Sequence, residues 1–222
     1  MNQRRFRIGA IHALMNAIPT TQIAFDRTWS AADVAHLLDG SLYLDRSRGT
    51  ADESELSSRI DRLVNYSAST GAEGIIVTGS FFGAATKDAR QGVTIPVVTS
   101  FDGIIERALK LGGPLHILST APDSAELLAE ELEREASSRS RSLSVSRQAV
   151  AGAMDSLISG DVDQHDQLVL EAVRAVEPTA AILLAQFSME RILPRSAALR
   201  GTPVIGPASE GVAWLRELIA SQ

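Results

Sequence analysis

A chain of 222 residues is long enough for one domain or two small ones, and 45% hydrophobic with 22% charged residues is ordinary for a globular protein. A net charge of −6 with no Lys/Arg-rich run excludes the clustered basic face that nucleic-acid binding needs. No apolar stretch approaches the roughly 20 residues that span a bilayer, and the absence of cysteine excludes disulfides and thiolate metal sites, so a cytoplasmic protein is expected.

The segment MNQRRFRIGAIHALMNAIP has a basic start before an apolar run. His12 and Asn16 interrupt that run, so Arg7–Leu14 reads as a buried first strand rather than a leader. Ser30–Leu38 opens on a Ser N-cap signal and predicts a short helix. Ser41–Asp45 predicts a second strand. Asp52–Thr70 sets Leu56, Ile60, Leu63 and Val64 at helical spacing and stops at Gly71. Gly74–Val77 is an apolar run of strand length, followed by a helix over Ala84–Gln91 and a strand over Ile95–Ser100. A helix over Phe101–Leu111 ends at Gly112–Gly113.

The second half repeats the plan. Leu115–Ser119 is a strand, and Pro122–Ser137 an amphipathic helix with proline in its first turn. The arginines of REASSRSRSLSVSR (134–147) sit among serines and read as a solvated helix end and turn. Leu143–Val150 alternates as a strand does. Asp163–Val176 is helical and ends before Pro178; Ala180–Ala185 and Pro203–Ile205 are strands, and Ser209–Ser221 is the closing helix. Repeated βα units predict parallel sheets with right-handed crossovers. The expected fold is α/β with two pseudo-symmetric lobes, 1–113 and 114–222. Each carries a parallel sheet flanked by helices, and the closing helix can pack back onto the first lobe.

Ligands of parallel α/β sheets bind at the carboxyl ends of the strands. Two such junctions stand at matching places in the two halves: Thr78-Gly79-Ser80, and Ala185-Gln186-Phe187-Ser188. Backbone N–H groups and hydroxyls there can hold a carboxylate at a helix start, although the same residues also serve as plain turns and caps. Thr120 and Ser124, after the Leu115–Ser119 strand, offer the same choice. His12 and Asn16 close the first strand. His12 is the one histidine at a strand end; His36 and His165 read as helix surface, and His116 as strand interior. Histidine in an apolar segment is more often a satisfied core residue than a functional one. Glu190 reads as a solvated helix residue. Phe81-Phe82 and Phe187 read as core packing or as the wall of a site for a ligand with an apolar or aryl part.

From Arg7 to about Ala220 the chain resembles the aspartate/glutamate/hydantoin racemase superfamily. The resemblance is carried by GIIVTGSFFGAA, IPVVTSFDGIIERAL, LHILSTAPDS, AAILLAQFSMERILP and GTPVIGP. It implies an active-site cleft between two lobes, where two cysteines face opposite sides of a substrate α-carbon and act without metal or pyridoxal phosphate. On this pattern Gly79 and Gln186 occupy the two cysteine positions. Thr78, Ser80 and Thr120 fall where the carboxylate binds, and Ser188 supports the second position. The arylmalonate decarboxylase branch also has glycine at the first position but keeps the second cysteine. Glycine has no side chain and an amide does not titrate usefully, so the two-thiol mechanism is excluded. Two functions remain expected. One is a cofactor-independent isomerase or decarboxylase of this superfamily, acting at the α-carbon of a small carboxylate with His12 as a proton-transfer group. The other is a non-catalytic protein that binds a small carboxylate on the same fold. The resemblance further implies a homodimer.

Overall fold

Four consecutive apolar residues without polar alternation suit a strand covered on both faces. GIIV and AILL are such runs, and all four residues of each are buried in the computed structural model, which describes residues 4–197, 199 and 201–222. The chain divides into two compact units. One runs up to Gly103 and includes Ala208–Gln222; the other is Ile104–Pro207. The first boundary therefore falls ten residues before the Gly113 expected from sequence, and the closing helix is counted with the first unit.

The first unit contains β1 (Phe6–His12), α1 (Ala17–Thr28), β2 (Ala32–Leu38), α2 (Gly40–Arg48), α3 (Glu53–Ser69), β3 (Gly74–Val77), α4 (Gly83–Ala89), β4 (Val97–Val98) and the start of α5 (Asp102–Leu111). Its four strands are parallel in the order β2-β1-β3-β4, with Ile8 opposite Gly74 and Ile11 opposite Val77. The second unit contains β5 (Pro114–Ser119), α6 (Pro122–Ser138), β6 (Ser144–Ala149), α7 (Ala153–Ile158), α8 (Val162–Ala175), β7 (Ala181–Leu184), α9 (Leu193–Ser196) and β8 (Val204–Ile205). Its order is β6-β5-β7-β8, again all parallel, with Leu115 opposite Ala181 and Leu118 opposite Leu184. The two sheets thus repeat one topology. The closing helix is α10 (Pro207–Ala220).

Two early elements differ from the sequence expectation. Residues 32–38 form a strand and not a helix, pairing with β1 from Phe6–Ala32 to His12–Leu38. This is an edge strand, and Asp33 and Ala35 are exposed while Val34 and His36 are partly buried. The alanines suggest a helix, but a seven-residue ladder outweighs that weak propensity. Residues 40–48 form a helix and not a strand. Asp39 caps it by accepting from the Ser41 N–H, Gly49 ends it in the left-handed region, and Leu42 anchors it in the core. The helices α1 and α7 lie where no element is expected. In α1, Pro19 stands within the first turn, where proline is tolerated, and Thr20, Thr21, Ala24 and Phe25 form its buried face. The α3 prediction is matched closely, with a capping box between Asp52 and Glu55.

Each unit has its own core. Ile11, Leu42, Leu56, Ile60, Ile75 and Phe82 cluster in the first, and Leu118, Val169, Val173, Ile182, Leu184 and Met189 in the second. Burying each large side chain contributes about 1.5–3 kcal/mol before entropy is subtracted. Gly103 shows why α10 belongs with the first unit: a Cβ there would lie 2.2 Å from the Glu210 carbonyl oxygen, so the two backbones meet where only glycine fits.

Candidate active site

Parallel pairing of β1 and β3 brings their carboxyl ends side by side. The Thr78 N–H donates to the Ile11 carbonyl at 2.9 Å, which sets the Thr78 side chain beside His12. His12 is fully buried, and its Nδ1 lies 3.0 Å from Thr78 Oγ1. Burial, with a lesser contribution from the neighbouring His36 ring, pushes the His12 imidazole down from 6.5 to about 4. His36 is not on a helix surface as expected. It sits on β2, partly buried, with Nδ1 2.9 Å from His12 Nε2.

Immediately after Thr78, Gly79 adopts φ 102° and ψ 104° and opens a 3-10 turn over Ser80–Phe82. L side chains rarely adopt such a φ, and an added Cβ would meet Phe82 Cδ2 at 3.3 Å. Glycine at this position is therefore a requirement of the backbone, whatever space it also leaves. Phe82 belongs to the core, whereas Phe81 and Ser80 keep some exposure. The Arg46 guanidinium lies 4.8 Å from the centre of the Phe81 ring.

The end of β4 carries groups that sequence reasoning missed. Thr99 Oγ1 accepts from the Phe101 and Asp102 N–H groups, and the Asp102 carboxylate accepts the Thr99 N–H at 2.9 Å. Between them the buried Ser100 hydroxyl has no partner among the described residues. The T-x-x-D spacing signals the cap, but nothing in the sequence marks Ser100.

In the second unit, β5 and β7 bring Ser119-Thr120 beside Gln186. Gln186 Oε1 accepts from the Thr120 N–H at 2.7 Å, from Thr120 Oγ1 at 2.7 Å and from Ser119 Oγ at 3.1 Å. A backbone N–H only donates, so the amide orientation is fixed and Nε2 points elsewhere, without a partner among the described residues. Thr120's two donors are thus held by Gln186. Phe187 is buried and Ser188 partly exposed. Ser124 is buried in the first turn of α6, and in the first unit Asn16 occupies the N-cap position of α1 without a side-chain cap bond.

Two side chains expected at the surface are buried. Glu190 is 5% exposed, with its carboxylate against Gly206. His165 is fully buried on α8, where its Nδ1 lies 2.9 Å from Asp166 Oδ1 and Asp166 Oδ2 accepts from Arg191 Nε at 3.2 Å. Amphipathic spacing placed these residues on helices but could not say which face the turn after β7 would cover. His116 lies within β5 as expected, bonded to Ser146 at 2.7 Å. Among the described residues no three His, Asp or Glu side chains gather as a metal site, and no helix is long and apolar enough to cross a membrane.

Several solved structures share this fold at low identity. Allantoin racemase from Klebsiella pneumoniae matches with TM-score 0.72 and 16% identity, over 97% of this chain and 88% of that one. A glutamate racemase isoform from Bacillus anthracis matches with TM-score 0.71 and 14% identity, over 99% and 83% of the two chains. An arylmalonate decarboxylase matches with TM-score 0.66 and 14% identity, over 96% and 92%. No curated protein matches the sequence. The family model for Asp/Glu/hydantoin racemases matches residues 19–215, nearly the whole chain. With two parallel sheets of one topology and that match, the chain belongs to the Asp/Glu/hydantoin racemase family.

Proposed function

We propose that this chain is an isomerase- or lyase-type enzyme that moves a proton at the α-carbon of a small carboxylate, without a thiol pair and without a cofactor. The observation that carries this reading is the hydrogen bond between Thr78 and His12 beside Gly79. Thr78 meets the substrate, and the fully buried His12 acts through its hydroxyl. Inversion by an acid and a base needs two titratable groups; His12 lies against the first strand end, whereas Gln186 at the second supplies an amide. An imidazole held near 4 is a weak base. A carbon acid whose α-proton is already acidified by a second carbonyl, as in malonates, is the substrate class that suits so weak a base. Ser80 and Phe81 keep exposed surface while Thr120 is held by Gln186, so the first unit's loop is the carboxylate contact in this proposal.

The test is proton NMR of phenylmalonate and methylmalonate in D2O with the intact protein. We expect deuterium to enter the α-position, or carbon dioxide to be released, faster than without protein. His12→Asn should slow this by about 100-fold or more, the usual contribution of acid–base catalysis. If no acid reacts but some raise the melting temperature saturably, the protein is a carboxylate-binding member of its family and the catalytic reading falls.

A further inference from the structure

The bond between His12 and Thr78 is the inner link of a longer chain. His12 Nε2 lies 2.9 Å from His36 Nδ1, and His36 Nε2 lies 3.0 Å from Gln22 Oε1. Gln22 Nε2 in turn donates to Asp26 Oδ1 at 2.7 Å, across one turn of α1. Exposure rises along the chain. Thr78 and His12 are buried, His36 and Gln22 are partly exposed on the edge strand and on α1, and Asp26 is exposed.

The outer end fixes the direction of every bond. Gln22 turns its amide N–H toward a carboxylate, which only accepts, so its carbonyl faces His36 and His36 Nε2 carries hydrogen. A neutral His36 then presents a bare Nδ1, and His12 Nε2 must donate to it. A neutral His12 likewise presents a bare Nδ1, which accepts the Thr78 hydroxyl proton. Among the described residues the competing acceptor for that proton is the Ile11 carbonyl, farther away at 3.3 Å. All four bonds point from Thr78 toward the surface.

We propose that His12 and His36 form a proton relay between Thr78 and solvent at the open edge of β2, with Gln22 and Asp26 as positioning residues. This rests on the proton-transfer role proposed for Thr78 and His12. The transfer balances. A proton taken up at Thr78 Oγ1 displaces the hydroxyl proton to His12 Nδ1, His12 passes its Nε2 proton to His36 Nδ1, and His36 loses its Nε2 proton to water. One outward passage reverses the Thr78–His12 and His12–His36 bonds and leaves a bare His36 Nε2 against the Gln22 carbonyl, an acceptor pair that favours the inward passage restoring the resting state. The resting polarity accepts a proton from the site before it can return one, which suits removal followed by return. It also explains why a buried histidine is partnered by a second histidine and not by a carboxylate, because a fixed negative charge would hold the proton in place.

The relay can be tested without any substrate, by NMR of the full chain labelled with 15N in its histidine rings. At neutral pH both His12 and His36 should be neutral with hydrogen on Nε2, and a hydrogen on Nδ1 of either ring would overturn the proposal. In D2O the buried His12 Nε2 proton should exchange through His36. His36→Gln keeps an amide that can bond to both neighbours but cannot pass a proton, and should slow that exchange at least tenfold. If His36 only supports the structure, the variant loosens the site and exchange stays equal or quickens, which sinks the relay. His36→Asn serves the same comparison if the first variant folds poorly. Reaction of phenylmalonate is followed separately. An intact relay with an inert phenylmalonate overturns the functional reading alone, whereas a reactive phenylmalonate with unaltered His12 exchange overturns the relay alone.

Discussion

The strand ends after β3 and β7 occupy the same place in two sheets of one topology, yet they are chemically opposite. After β3 a hydroxyl is bonded to a buried imidazole, and the backbone turns through a conformation reserved for glycine. After β7 a neutral amide accepts three hydrogen bonds from the end of the neighbouring strand, and the backbone at Gln186 is ordinary extended chain. A duplicated topology therefore does not carry duplicated chemistry. The first end holds a group whose proton can move, while the second holds one whose hydrogen-bond pattern is fixed.

The largest effect expected from this asymmetry is on acid stability. Folded His12 takes a proton near 4, against 6.5 for the free side chain. Between those values the unfolded chain binds more protons, so stability rises with pH. Roughly 3 kcal/mol that is fully present above pH 6.5 is lost as the pH falls toward 4. His36, also lowered by burial, adds to the same slope. Urea denaturation at pH 7 and pH 4.5 measures the difference, and His12→Asn should flatten it. Equal stability of the natural chain at both values would mean that the imidazole is not desolvated, and the contrast between the two ends would collapse.

A smaller loss is expected at Gly79. Alanine there must adopt φ near 102° or rebuild the turn, at a cost of about 1–3 kcal/mol. The same reasoning applies to cysteine, so a thiol placed here has to overcome backbone strain before any chemistry appears. A Gly79→Ala protein as stable as the natural one would show that the loop adapts freely. The smallest effect belongs to Gln186→Ala. It strips the acceptor from the buried Thr120 and Ser119 donors, but the vacated position of Gln186 is partly exposed and admits water, so the cost should be about 1 kcal/mol. A loss well beyond that would mean the amide holds the second unit together rather than only ordering its loop.

Much of the fold is legible in the residues. The runs GIIV and AILL, the Asp52–Glu55 capping box and the stop at Gly71 each state their structure locally, because burial on both faces, reciprocal capping and positive φ all leave marks on neighbouring residues. The stretch 32–48 misleads for an equally definite reason. ADVAHLL is a strand only because β1 supplies seven partners, and GSLYLDRSR is a helix because Asp39 caps it and Leu42 finds the core. The error reached the site, since a helical His36 could not be seen as a neighbour of His12. Gln186 could be read as a missing thiol, but its bonds to Thr120 could not.

The α/β class, the repeated strand-and-helix plan, the family resemblance and the absence of any thiol can all be read along the chain, because they depend on residue type and spacing. The bonds of His12 to Thr78 and His36, the bond of Gln186 to Thr120 and the backbone constraint on Gly79 emerge only once the chain is folded. Those facts depend on which strand ends lie side by side, and residues 24 or 66 positions apart become neighbours only when the parallel ladders close.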